Sequence, residues 1–215
     1  MRKRLEFALE EINNDIIEMG TLVEISIERA MTALKNQDIT LAKSVRKYQK
    51  KVDEMEKQIE SSALHILVTQ QPVASDLRLI SVALKIITDM QRISNQAFNI
   101  AEISTQLVQN TFLKKPDLIL EMAEKTVSMV SRALDAFVNR DRSMADSVEQ
   151  DDDEIDKLFV KVRDEVVEMI HENKQNGEQA IDLIMIAKYL ERIADHAVNI
   201  SDWVVFFITS KHREG

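Results

Sequence analysis

Oxygen-bearing side chains recur at helical spacing near the end of the chain: Glu191, Asp195, Asn199 and Asp202. At 100° per residue these four share one stripe, and Leu190, Ile193, Ala197 and Ile200 fall on roughly the opposite face. Carboxylates at i and i+4 on a helix stand about 5–6 Å apart at Cβ, close enough to share a hard cation. A preceding segment, Asp152-Asp-Glu-Ile-Asp156, offers a second pair, Asp152 and Asp156, at the same spacing. Two neighbouring helices with such pairs can build an oxygen cage for magnesium, calcium, manganese or iron. A solvated helix face has the same look, and like charges at i, i+4 cost only a few tenths of a kcal/mol without a counter-ion. The pattern alone therefore leaves a metal site and a plain polar surface both open.

No other chemistry stands out. His65, His171, His196 and His212 lack metal-ligand spacing, and His196, turned about 100° from Asp195, reads as a surface residue. The 10 methionines read as core filler. Trp203, Phe206 and Phe207 sit at i, i+3 and i+4, which suits a core or a homodimer seam. There is no Gly-rich phosphate loop, no Ser/His/Asp set and no Lys-rich patch, so the expectation is a protein that is not an enzyme. With no cysteine, disulfides, thiol nucleophiles and Cys-based zinc or iron–sulfur sites are excluded. A net charge of −9 argues against nucleic acid as a partner and favours basic partners or cations.

The elements that must position these residues are helices. The 215 residues include 3 Gly and 2 Pro, where average usage of about 7% and 5% would give roughly 15 and 11. Sandwiches, barrels and doubly wound sheets need many more turn residues than that. The start, Met1-Arg-Lys-Arg-Leu-Glu-Phe7, leads into Glu10 and Glu11 and not into an apolar stretch, so no signal peptide is expected. Trp203-Val-Val-Phe-Phe-Ile208 is far short of the roughly 20 apolar residues that span a bilayer. The expectation is a cytoplasmic protein without membrane insertion. Apolar residues recur every three or four positions, as at Leu77, Ile80, Leu84 and Ile87, or at Ile155, Leu158, Val162 and Val166. Breaks fall at Asn36–Ile39, Gln70–Pro72, Thr111–Asp117, Asn139–Arg142 and Asn173–Gly177. They divide the chain into six helices of roughly 22–38 residues, the proportions of a bundle. Gly20 interrupts the first of them without a reason visible in the sequence.

The pattern repeats. Arg29-Ala-Met-Thr-Ala-Leu-Lys-Asn36 matches Arg132-Ala-Leu-Asp-Ala-Phe-Val-Asn139, each followed by a helix-capping Asp, Asp38 or Asp141. Ala42-Lys-Ser-Val45 matches Ala145-Asp-Ser-Val148, and Lys51-Val-Asp53 matches Glu154-Ile-Asp156, all at an offset of 103. Arg92-Ile-Ser-Asn-Gln-Ala-Phe-Asn-Ile100 matches Arg192–Ile200 at an offset of 100, so three residues are missing from one copy, most simply at its second turn. The chain is a tandem duplication, with an expected first repeat of 1–113 and second of 114–215. The candidate site is unequal between the copies. Asp152 is matched by Gln49, Glu191 by Gln91 and Asp195 by Asn95, while Asp156 keeps Asp53. Amides bind hard cations more weakly than carboxylates, so a metal is expected, if anywhere, in the second repeat.

Glu191-Arg-Ile-Ala-Asp195-His-Ala-Val-Asn199-Ile200, its copy Arg92–Ile100, and Gln71-Pro-Val-Ala-Ser-Asp-Leu-Arg-Leu79 resemble the PhoU family of phosphate regulators. The resemblance covers essentially the whole chain. It implies an all-α fold of two tandem, pseudo-symmetric three-helix bundles. It also implies negative regulation of the phosphate-starvation response, through contacts with the Pst phosphate ABC transporter, its ATPase included, and with a sensor histidine kinase such as PhoR. Some members carry iron clusters or other metals on their Glu/Asp-x-x-x-Asp motifs, which by position are Asp152, Asp156, Glu191 and Asp195 here, so iron, zinc, manganese, magnesium and calcium are the candidate ions for the second repeat. The departures at Gln49, Gln91 and Asn95 leave a first-repeat cluster unsupported. The alternative from another class is a metal-binding bundle with a redox or storage role.

Overall fold

The protein is described by a computed structural model covering residues 2–107 and 116–212, without the side chain of Arg2. Its six α-helices are α1 (Arg2–Asn36), α2 (Ile39–Thr69), α3 (Ala74–Leu107), α4 (Asp117–Asn139), α5 (Arg142–Glu172) and α6 (Gly177–Thr209). A 3-10 turn, Lys174–Asn176, leads into α6. The expected break at 111–117 and the expected boundary at 113/114 lie outside the described residues, except that Pro116 caps α4.

Both first turns are built alike. Asp38 accepts from the backbone N–H of Leu41 and Asp141 from that of Met144, each satisfying one orphan donor at the helix start. The residues before them, Gln37 and Arg140, take the left-handed backbone at φ 52° and 53°. Glycine is the commonest residue at such places, yet the chain uses longer side chains there. Gly177, at φ −57°, needs no special conformation.

Helices α1, α2 and α3 pack on one another, as do α4, α5 and α6. The two bundles meet mainly along α3 and α6, a seam comparable in extent to the pairs within a bundle, and also where α1 touches α4. Buried apolar side chains from all six helices form one continuous cluster. The duplication is legible in it. Ala42, Val45, Val52, Ile59, Ala63 and Ile66 are buried on α2, and the residues 103 further on are buried on α5. Ile80, Ala83, Ile86, Met90, Ile93 and Ile100 are buried on α3, and those 100 further on are buried on α6. The change of offset falls at the second turn: residues 70–73 separate α2 from α3, whereas Asn173 alone separates α5 from the 3-10 turn.

The repeated motifs have mechanical roles. Arg29 donates to Ser44 Oγ, which donates to Leu41 O, and the guanidinium lies over the Tyr48 ring. In the second repeat Arg132 donates to Ser147 Oγ, which donates to Met144 O, and Asp151 replaces the ring as a salt-bridge partner. Each arginine thus braces the first helix of its repeat against the second.

Two sequence expectations gain detail here. Met19, Met31, Met90, Met122, Met129 and Met169 are buried as expected, but Met185 is exposed. Phe207 packs inward against Phe137, with the Arg140 guanidinium 5.1 Å from its ring centre.

Gly20 also finds its reason. A Cβ at that position would stand 3.1 Å from Leu134 Cδ1 and 3.5 Å from Met90 Cε, so glycine lets α1 approach α4 and α3 closely. Gly20→Val should lower unfolding stability by about 1–3 kcal/mol through overpacking. Gly20→Ala should be near neutral, because rotation of the Leu134 side chain and about 1 kcal/mol of helix propensity offset the contact. Urea denaturation of both variants checks this, and an equal loss in both would refute the close-approach explanation.

Candidate functional site

Asp152 and Asp156 lie on α5, and Glu191 and Asp195 lie on the adjacent α6. Both pairs sit one helical turn apart and outside the buried stripes of Ile155, Leu158 and Val162 and of Leu190, Ile193 and Ala197. The structure brings the four charges together. Burial, followed by the charges of Asp156, Asp195, Asp153 and Glu191, pushes the Asp152 carboxyl up to about 6. Asp195 is also raised, by burial first and then by Glu191, with Lys188 and His196 working against the shift. Lys188 forms a salt bridge to Glu191 and lies 5.5 Å from the centre of the Phe159 ring.

As the side chains stand, no three His, Asp or Glu groups among the described residues are arranged to hold a metal ion. Asn199 and Asp202 lie one and two turns further along α6. The donor chemistry of the four central carboxylates suits a hard cation, but ligation would require side-chain rotation.

The matching place in the first repeat is built differently. Gln49 Nε2 donates to Asp53 Oδ2 at 2.6 Å and to Asn95 Oδ1 at 3.1 Å. Gln91 Nε2 donates to Asp53 Oδ1 at 2.9 Å. All four residues are half-buried and the network joins α2 to α3.

His196 is not the surface residue that its angular offset from Asp195 suggested. Its Nδ1 lies 2.9 Å from Asp89 Oδ1, and the two side chains are 15% and 8% exposed. The pair bridges α6 and α3 across the seam between repeats. The repeat matches these positions with Tyr189 and Gln96, so no second acid–imidazole pair exists there, and Gln96 Oε1 is buried without a hydrogen-bond partner. Sequence reasoning missed Asp89, Asp153 and Lys188. The signal for the seam was a second buried stripe of small and aliphatic residues on α6, Ala187, Ala194, Ser201 and Val205, beyond the single core stripe first assigned.

Fold and site together define a class: a duplicated helical bundle with a shared core and an unequal polar cluster in each half. Among the described residues no helix is long and apolar enough to cross a membrane. The chain belongs to the PhoU family, since the profile described as the PhoU domain matches residues 16–104 and again 119–204. It is 34% identical to the phosphate-specific transport system accessory protein PhoU homolog of Clostridium acetobutylicum, over 98% of this chain and 96% of that one. It is 31% identical to the protein of the same description from Deinococcus radiodurans, over 99% of this chain and 100% of that one. The crystal structure of PhoU from Pseudomonas aeruginosa superposes with a TM-score of 0.92 at 31% identity, covering 96% of this chain and 99% of that one. The phosphate transport system regulatory protein PhoU from Streptococcus pneumoniae shares the fold, with a TM-score of 0.89.

Proposed function

We propose that the protein is an accessory regulator of phosphate transport that restrains high-affinity uptake and the phosphate-starvation response when phosphate is plentiful. The supporting observation is likeness to phosphate-transport accessory proteins over nearly the full length of both chains, including the duplication. The protein acts in the cytoplasm, without catalysis and as a homodimer, by docking helical faces on the transporter ATPase and on a sensor histidine kinase. Deletion of the gene should give constitutive expression of phosphate-uptake genes in phosphate excess, measured with a reporter. Normal repression in that strain, with no second copy of the gene present, would refute the reading. Retention of the transporter ATPase on the immobilised protein at low salt checks the contact itself.

A second feature is favoured by the carboxylate cluster: a metal ion or small cluster of iron, zinc, manganese, magnesium or calcium at Asp152, Asp156, Glu191 and Asp195. When bound it would supply positive charge among four mutually repelling acids and tie α5 to α6. Purified protein carrying Glu191→Gln with Asp195→Asn should lose most of its bound metal in elemental analysis. Unchanged metal content would remove this site and, with it, the redox or storage alternative.

A further inference from the structure

We infer that the amide network of the first repeat stands in for a bridging cation, so that the α2–α3 pair is closed without metal and metal acts on the α5–α6 pair alone. The three hydrogen bonds already described use both oxygens of Asp53 and both amide hydrogens of Gln49. A carboxylate only accepts, so Asp53 fixes which way both glutamine amides point. Turning either would set oxygen against oxygen. The N–H groups of Gln49 and Gln91 therefore occupy the directions around Asp53 from which a cation would approach it. A metal entering here would break three hydrogen bonds and find one carboxylate and three neutral amides. In the second repeat the same positions hold acids, with Lys188 on Glu191 as the ion pair of the cluster. The consequence is directional. A divalent cation would stiffen one bundle and leave the other unchanged, although the two share a fold and a core.

The inference rests on the metal reading of the second repeat for its contrast, but its own claim concerns α2 and α3. Hydrogen exchange read by mass spectrometry on the full chain, with Mn²⁺ or with chelator, separates the two. Peptides covering 45–57 and 88–99 should exchange equally in both conditions. In the variant carrying Gln49→Asp, Gln91→Glu and Asn95→Asp, which rebuilds the acidic set, the same peptides should become about tenfold slower with Mn²⁺. Mn²⁺-dependent protection of α2 and α3 in the unaltered chain would overturn the inference. So would a rebuilt variant that ignores Mn²⁺ while α5 and α6 respond. If neither bundle responds, the metal reading of the second repeat is what has failed. The network is then judged without metal by Gln91→Leu, which keeps the volume and removes the donor. Exchange in 45–57 and 88–99 should rise about tenfold in that variant, and unchanged exchange overturns the inference whatever the second repeat does.

Discussion

With divalent cations removed, the protein is expected to be more stable toward urea at pH 5 than at pH 7, and Asp152→Asn should flatten that dependence. The Asp152 carboxyl rises from 3.8 to about 6 in the fold, mainly through burial and then through the surrounding acids. Between those two values the folded chain holds a proton that the unfolded chain has released. Stability from this group is therefore fully present below about pH 4 and is lost as the pH rises through about 6. Above that the folded protein carries the full cost of a half-buried carboxylate among like charges. Asp195 shifts in the same direction and adds to the slope. Asparagine at 152 removes the charge and keeps the shape, so stability at pH 7 should rise by about 1 kcal/mol once solvent screening is discounted. Urea midpoints of both proteins at the two pH values provide the check. An Asp152→Asn variant as pH-dependent as the parent, or less stable at pH 7, would show that the acids do not repel as the geometry requires.

Asp89→Ala is the second substitution with a large expected effect: a loss of about 2–3 kcal/mol. It strips His196 of its partner in a place where both side chains are largely shielded from water. It also acts at the seam, so it loosens the contact between bundles instead of one bundle's interior. Asp89→Asn keeps a side-chain oxygen within reach of the imidazole and should lose no more than about half as much. His196→Gln places on α6 the residue type that α3 carries at Gln96 and should fall between them. Denaturant midpoints of the three variants test this order. A change under about 0.5 kcal/mol for Asp89→Ala, the usual size of a surface substitution, would make the pair incidental.

The helices were legible because the chain is nearly free of the residues that punctuate structure. Pro72, Pro116 and the two capping acids, Asp38 and Asp141, stand at or beside helix starts. The acidic stripe was legible as a stripe, and the substitution of amides for acids in the first repeat was visible at once. Three things were not. Periodicity assigns a helix one buried face, but α6 has α3, α4 and α5 around it, and His196 belongs to a face that a single stripe leaves out. A lone glycine reads as a defect until the opposing helix is in place, because the atoms it makes room for, on Leu134 and Met90, are distant in sequence. Whether Gln49 and Gln91 donate to Asp53 or face solvent depends on how α2 and α3 are turned toward each other, and composition carries no record of that.

The seam along α3 and α6 has a consequence for how such a chain could arise. A single repeat standing alone would leave the outer face of its third helix uncovered. Its simplest remedy is a copy of itself, third helix to third helix, in an isologous dimer. In such a dimer every residue choice is made twice, and an acid at position 89 would face whatever its own chain placed at position 96. Joining the copies in one chain removes that constraint. Asp89 can then meet His196 while the equivalent positions hold Tyr189 and Gln96, and one half can concentrate its acids while the other trades them for amides. Covalent linkage thus lets the two halves of a symmetric ancestor hold different residues at equivalent places.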